Sequence, residues 1–314
     1  MPARRQATID IGTNTTLLLV AERPAGADLT AVRVLSERAE ITRLGRGIGK
    51  DGRLTAEGIQ GTLRALEDYA AEARAAGAPL AVVGTEGLRK APNADEFLRP
   101  AAQILGTPVE VISGDREAEL TFRAAVTSFP ALAALPLMVI DIGGGSTEVI
   151  ISDRAGVESR RSLPLGSVRL TERHVAHDPP AASEQAALLA DLRAALAVLP
   201  ATSASGAPLR LVGTAGTVTT LAAMALELRD YDPDRVHGYE LSAEKLAEQV
   251  LRLGKSTQGE REQMVGLDPR RADVIFAGAN ILAAFVERLG ARSVLVNDRG
   301  IRWGLLFERL SQDP

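Results

Sequence analysis

The sequence predicts an α/β protein made of two related halves, on three observations. Short apolar runs of strand length alternate along the whole chain with longer stretches whose apolar residues recur at helical spacing. A loop at Asp10-Ile11-Gly12-Thr13-Asn14-Thr15-Thr16 recurs as Asp141-Ile142-Gly143-Gly144-Gly145-Ser146-Thr147, roughly half the chain away. A length of 314 residues also exceeds what one hydrophobic core ordinarily serves, so two domains are expected.

Residues 7–20 read as strand, tight turn and strand, because apolar runs at 7–11 and 17–20 flank small and hydroxyl residues. A further strand at 30–36 follows the turn Pro24-Ala25-Gly26, and a polar, Gly-rich stretch runs from Glu40 to Lys50. From Thr55 on, Ile59, Leu63, Leu66, Ala70 and Ala73 keep helical spacing until Gly77 and Pro79 stop the helix. A strand at 80–84, a helix at 94–105, a strand at 109–112 and a helix from about 113–115 to 129 complete the first half. The second half has strands at 137–142, 147–152 and 157–163, a helix at 183–199, a strand at 209–213 and a helix at 218–227. Helices at 242–253 and 272–289, a strand at 294–296 and a helix at 301–310 end it. The domains are expected at 1–123 and 124–314, with the last helix, 301–314, packing back on the first domain.

Hydrophobic residues at 46% and charged residues at 24% describe an ordinary globular protein. Cysteine is absent, which excludes disulfides, thiolate zinc sites and thiol catalysis. No apolar stretch approaches the roughly 20 residues needed to span a bilayer, and no secretory segment precedes the first strand, so the cytoplasm is the expected address. A net charge of −4 argues against nucleic acid as a partner but not against a polyanionic substrate held by local arginines.

The duplicated loop carries the chemistry. Each copy leaves a strand through one carboxylate and enters small and hydroxyl residues, so backbone N–H groups can approach a phosphate while the Asp holds a hydrated cation. A third Gly/Thr turn, Gly213-Thr214-Ala215-Gly216-Thr217, follows later. The order of the three loops resembles the actin and sugar-kinase architecture. That resemblance implies two ribonuclease H-like (actin-like ATPase) domains whose catalytic cleft lies between them and closes on a phosphate chain and its Mg²⁺.

Finer motifs narrow the match. Asp141 to Glu148 resembles the signature of the Ppx/GppA (exopolyphosphatase / guanosine pentaphosphate phosphohydrolase) family. So do Thr42-Arg43-Leu44-Gly45, Gly84-Thr85-Glu86-Gly87-Leu88-Arg89, and Ile112-Ser113-Gly114-Asp115-Arg116-Glu117-Ala118. Leu165 to Glu172, Val236-His237-Gly238-Tyr239, Arg271-Ala272-Asp273 through Gly278, and Asp298 to Gly304 extend the likeness over essentially the whole chain. Longer members carry further C-terminal helices, and this chain is similar to the short form.

The resemblance implies a Mg²⁺-dependent exopolyphosphatase acting as a homodimer on inorganic polyphosphate, and the short form, without the helices that could bind long polymer, makes short chains or nucleotides the expected substrates. The alternative is conversion of guanosine pentaphosphate to tetraphosphate. More distant alternatives are a small-molecule kinase of the same architecture and a non-catalytic alarmone-binding protein. Glu117 is then the catalytic base, with Glu119 as its rival two residues on. Asp141 is expected to hold the cation through water, with Glu148 sharing it or orienting the attacking water and Asp10 as the matching ligand in the first half. Gly143, Gly144, Gly145, Ser146 and Thr147 are expected to donate to the phosphoryl group, opposed by Asn14 and Thr15. Arg89 is the candidate clamp on the phosphate chain, Arg43 or Arg46 reaches a later phosphate, and Gly213, Thr214 and Gly216 complete the binding set. His174 and His177 could share a helical face, but no third metal ligand accompanies them, and Trp303 reads as core.

Overall fold

A computed structural model describes residues 3–45, 52–153 and 156–312. The chain divides into two compact units, Met1–Ser128 with Gly300–Pro314, and Phe129–Arg299. The first unit opens with strands β1 (Arg4–Ile11), β2 (Thr16–Arg23) and β3 (Arg33–Glu40). Helix α1 (Ala56–Ala75), strand β4 (Leu80–Gly84), helices α2 (Glu86–Lys90) and α3 (Asp95–Leu105), strand β5 (Glu110–Val111) and helix α4 (Gly114–Ser128) follow.

The second unit contains β6 (Leu137–Ile142), β7 (Thr147–Asp153), β8 (Gly156–Leu163), α5 (Ser167–His174) and α6 (Ala182–Leu196). Then come β9 (Arg210–Thr214), α7 (Ala215–Ala225), α8 (Pro233–Val236), β10 (Glu240–Ser242), α9 (Ala243–Lys255), α10 (Gln258–Glu262), α11 (Ile275–Leu289) and β11 (Ser293–Asn297). The last helix, α12 (Ile301–Ser311), returns to the first unit.

The two sheets share one plan. The first runs β3-β2-β1-β4-β5 and the second β8-β7-β6-β9-β11, with β10 added at the far edge. In each, the first three strands are antiparallel and the next two continue parallel. β1 and β6 lie centrally, and their apolar residues Ile9, Ile11, Val139, Ile140 and Ile142 are fully or almost fully buried. Thr55 caps α1 by accepting from the Gly58 amide, and the helix packs Ile59, Leu66, Tyr69, Ala70 and Ala73 inward, as the spacing predicts.

Some boundaries differ from the sequence reading. β3 starts at Arg33, because Asp28 accepts from the Thr30 amide and winds 29–31 into a 3-10 turn. Helix α7 begins directly on Ala215, and α11 only at Ile275, behind a 3-10 turn at Pro269–Arg271. Helices α2 and α5 have no counterpart in the periodicity, being one and two turns long. In the first unit, α12 lies against α4 with Gly304 at the contact, where a Cβ would overlap the Leu120 carbonyl oxygen. Thr8 donates to the Arg302 carbonyl, which ties the same helix to β1. Among the described residues no helix is long and apolar enough to cross a membrane.

His237 of the second unit stacks on Phe129, with ring centroids 4.5 Å apart, and its Nδ1 accepts from the Asp298 amide at 3.3 Å. Burial, assisted by Arg299, pushes the imidazole down from 6.5 to about 4. The folded state therefore binds fewer protons than the unfolded chain across that interval. Stability is complete above about pH 6.5 and is lost as pH falls toward about 4. Chemical denaturation at a series of pH values should show this slope in the wild-type protein and a flatter one in His237→Phe. An equal slope in both would assign it to other groups.

Candidate active site

The second sheet carries a row of polar side chains through an apolar interior. Strand register sets Glu148 beside Asp141, Asp141 beside Thr214, and Thr214 beside Asn297. Cross-strand partners share a face of the sheet, so these four side chains form one line. Asp141 is 6% exposed and Glu148 2%, while Thr214 and Asn297 are fully buried. Glu148 Oε1 accepts from two hydroxyls, Ser146 Oγ at 2.8 Å and Ser162 Oγ at 2.7 Å.

The glycine loop at the end of β6 is held from behind by the start of α5. Gly143 accepts from the Ser167 amide at 3.0 Å, and Gly144 from the amides of Val168 and Arg169 at 3.0 and 3.1 Å. The Gly145 carbonyl accepts from Arg169 Nε at 2.7 Å. In a trans peptide the carbonyl and the following N–H point in opposite directions. With three successive carbonyls fixed toward α5, the N–H groups of Gly144, Gly145 and Ser146 face the other way, as an anion-binding nest requires. Gly166, just before α5, makes this approach possible, since a Cβ there would overlap the Gly144 carbonyl. The hydroxyls of Ser146 and Thr147 are engaged within the unit, the latter with the Leu165 carbonyl at 2.5 Å. What this loop presents to a phosphate is therefore main-chain N–H.

The first unit repeats the device. Gly12 donates to the Thr15 carbonyl at 3.0 Å, as Gly143 does to Ser146 at 2.9 Å. The carbonyls of Thr13 and Asn14 accept from the amides of Gly45 and Arg43 at 2.8 and 2.9 Å, which turns the N–H groups of Asn14 and Thr15 outward. Arg43 adopts a left-handed backbone conformation (φ 54°) to make this contact, and Asn14, Thr15 and Arg43 are all half-buried. Asp10 is 8% exposed at the position matching Asp141.

Glu117 lies in the first turn of α4 at 3% exposure. Arg89 Nη1 donates to Glu117 Oε1 at 2.6 Å and to the Ile112 carbonyl at 2.5 Å. Arg89, expected as a phosphate clamp, therefore also grips the expected base. Glu119 is directed elsewhere, to Arg116 at 3.1 Å and Arg123 at 3.5 Å. Arg46 lies outside the described residues.

Gly213 and Thr214 end β9, and Gly216 lies in the first turn of α7 behind Ala215, whose φ of 71° is a left-handed conformation uncommon for alanine. The Arg271 guanidinium covers Gly216 so closely that a Cβ there would overlap it. Desolvation lowers the pKa of that guanidinium. His174 pairs with Asp191 at 3.0 Å and His177 with Glu184 at 2.8 Å, so both imidazoles are held by carboxylates. The bond from His177 holds the Glu184 carboxyl down at about 2. Trp303 is core, packed with Leu306 and Phe307.

Sequence reasoning did not single out Ser162, and it placed Gly166 and Arg169 within the Leu165–Glu172 likeness without a role for either, because their contacts reach chain segments far from their own. A hydrated divalent cation fits the row in the second unit. Neighbouring buried carboxylates repel unless neutralised, every donor there is oxygen, and the buried Thr214 hydroxyl has no hydrogen-bond partner among the described residues. Among those residues no group of three or more His, Cys, Asp or Glu forms a ready-made cage.

Comparison with known proteins decides the family. The model of the Ppx/GppA phosphatase family matches residues 19–313. The chain belongs to that family. Exopolyphosphatase 2 of Mycobacterium tuberculosis is 35% identical over 97% of this chain and 98% of its own length. The solved structure of the Aquifex aeolicus PPX-GPPA enzyme superposes with a TM-score of 0.81 at 32% identity, covering 98% of this chain and 100% of that one. The guanosine-5'-triphosphate,3'-diphosphate pyrophosphatase of Aeromonas hydrophila is 30% identical over 98% of this chain but only 60% of its own length. The actin-like α/β fold and the assignment as a phosphoanhydride hydrolase of the Ppx/GppA type are thereby borne out.

Gly166→Ala should fold, melting a few degrees lower, yet lose about 10²-fold in phosphate-releasing turnover, because the added methyl displaces the glycine loop. Wild-type turnover in this variant would mean that the loop need not be held where α5 holds it.

Proposed function

We propose that this protein is an exopolyphosphatase that uses a divalent cation, Mg²⁺, to release terminal orthophosphate from inorganic polyphosphate. Similarity to a curated exopolyphosphatase along practically the full length of both chains supports this reading most directly. In it, Glu117 takes the proton from the attacking water, and Arg89 orients that carboxylate. Asp141 and Glu148 would hold the cation, with Asp10 contributing from the first unit. When bound, the cation neutralises charge on the phosphate oxygens. The outward N–H groups of Gly144, Gly145 and Ser146 stabilise the phosphoryl oxygens being transferred, and Gly143 and Thr147 frame that loop. Asn14 and Thr15 act on the same phosphate chain. Arg43, Gly213, Thr214 and Gly216 bind further along it.

The second reading is hydrolysis of guanosine pentaphosphate to tetraphosphate, supported by the similarity to the Aeromonas hydrophila pyrophosphatase. The bond broken is again a terminal phosphoanhydride, so the same residues serve both. The reading extends to a cytoplasmic homodimer, with neither nucleic acid nor membrane as partner, and to a preference for short chains.

A substrate panel tests this: polyphosphates of defined length, guanosine pentaphosphate and ATP, each with and without Mg²⁺. Orthophosphate release from polyphosphate that requires the cation and falls at least ~10²-fold in Glu117→Gln is the expected result. Faster release from guanosine pentaphosphate would favour the second reading. Phosphorylation of a small alcohol or acid by ATP, without hydrolysis, would replace both with a kinase.

A further inference from the structure

Each unit carries its own version of the row, and the two versions can be read position by position. In the first sheet the row is Ala39, Leu17, Asp10, Val83 and Glu110. In the second it is Ser162, Glu148, Asp141, Thr214 and Asn297. The aspartate is common to both. Beside it the first unit has Leu17, whose outer neighbour is Ala39. The second has Glu148, whose outer neighbour is Ser162. The hydroxyl is present where the carboxylate is present and missing where it is missing.

Ser162 is solvent-exposed on the outermost strand, where packing does not dictate a side chain. Its Oγ nevertheless lies 2.7 Å from a carboxylate oxygen that is itself buried, and Ser146 donates to that same oxygen from the other direction. Two donors on one oxygen leave a carboxylate little rotational freedom.

We propose that Ser162 is a positioning residue for the hydrolytic reaction. With Ser146 it clamps Oε1 of Glu148 and fixes the plane of that carboxylate beside Asp141. This rests on the reading of Glu148 as a ligand or water-orienting group. It goes beyond that reading in assigning work to an exposed serine of the edge strand. Because Ser162 is exposed, its replacement by alanine should leave the fold intact.

The test compares Ser162→Ala, Ser162→Thr and Glu148→Gln in the full-length protein by three measurements. They are melting temperature, turnover against KM on polyphosphate, and Mn²⁺ binding followed by electron paramagnetic resonance without substrate. Ser162→Ala should keep the wild-type melting temperature and KM, lose about tenfold in kcat, and bind Mn²⁺ several-fold more weakly, the scale of one charge-assisted hydrogen bond. Ser162→Thr, which keeps the hydroxyl and suits a strand, should recover most of both losses. Wild-type kcat and Mn²⁺ affinity in Ser162→Ala, with Glu148→Gln inactive, would overturn the positioning role and leave the reading of Glu148 standing. Full activity in Glu148→Gln would overturn that reading and this inference together.

Discussion

Antiparallel pairing of β6 with β7 sets Asp141 directly beside Glu148, in a polar row that crosses an otherwise apolar sheet interior. Two buried carboxylates side by side are destabilising unless donors and a cation offset their repulsion. The surroundings meet that demand, with two hydroxyls on Glu148, a fully buried threonine hydroxyl beyond Asp141, and a loop of outward amides next to both. The register itself is held by the hairpin, where Gly143 closes on Ser146. Sliding β7 by one residue against β6 would send Glu148 to the face of the sheet opposite Asp141. The chemistry of this unit therefore depends on a four-residue turn keeping its length.

The same hairpin in the first unit has been put to a different use. Its row keeps one buried carboxylate, Asp10, between Leu17 and Val83, with Glu110 exposed at the edge, where the second unit buries a pair. Its distinctive contribution comes from outside the row: Glu117 at the start of α4, gripped by Arg89 from the end of α2. The guanidinium, 2.6 Å from that carboxylate, fixes its orientation. The duplicated fold thus separates tasks. One unit sets two buried carboxylates side by side, and the other pairs a buried carboxylate, Glu117, with a guanidinium, Arg89.

The sequence made the repeated hairpins legible because their signal is local: an apolar run, an aspartate, small residues and another apolar run within a dozen positions. Asp141 and Glu148 could be connected from the sequence because a four-residue turn makes the spacing of seven a cross-strand pair. Ser162 could not, since its link to Glu148 needs the register of a third strand across a longer loop. Arg169 and Gly166 were unreadable for a related reason. They lie at the start of a helix too short to leave a periodic signature, Gly166 as its N-cap, and their work is on a loop roughly two dozen residues earlier. Glu117 was preferred to Glu119 by its place in the family motif, and the sequence alone did not show that α4 buries the first and directs the second to Arg116 and Arg123. The histidines were ambiguous because His-x-x-His suits both a metal and a pair of separate ion pairs, and their carboxylate partners lie on α6.

In the proposed function, Glu117 and Asp141 act in one hydrolytic step. The most direct measurement is a double-variant cycle on turnover with Glu117→Gln, Asp141→Asn and the two combined. Residues acting on one step should be strongly non-additive, so the double variant should be little slower than the slower single variant. Losses that multiply fully would contradict the account, because they would mean that the two carboxylates act independently.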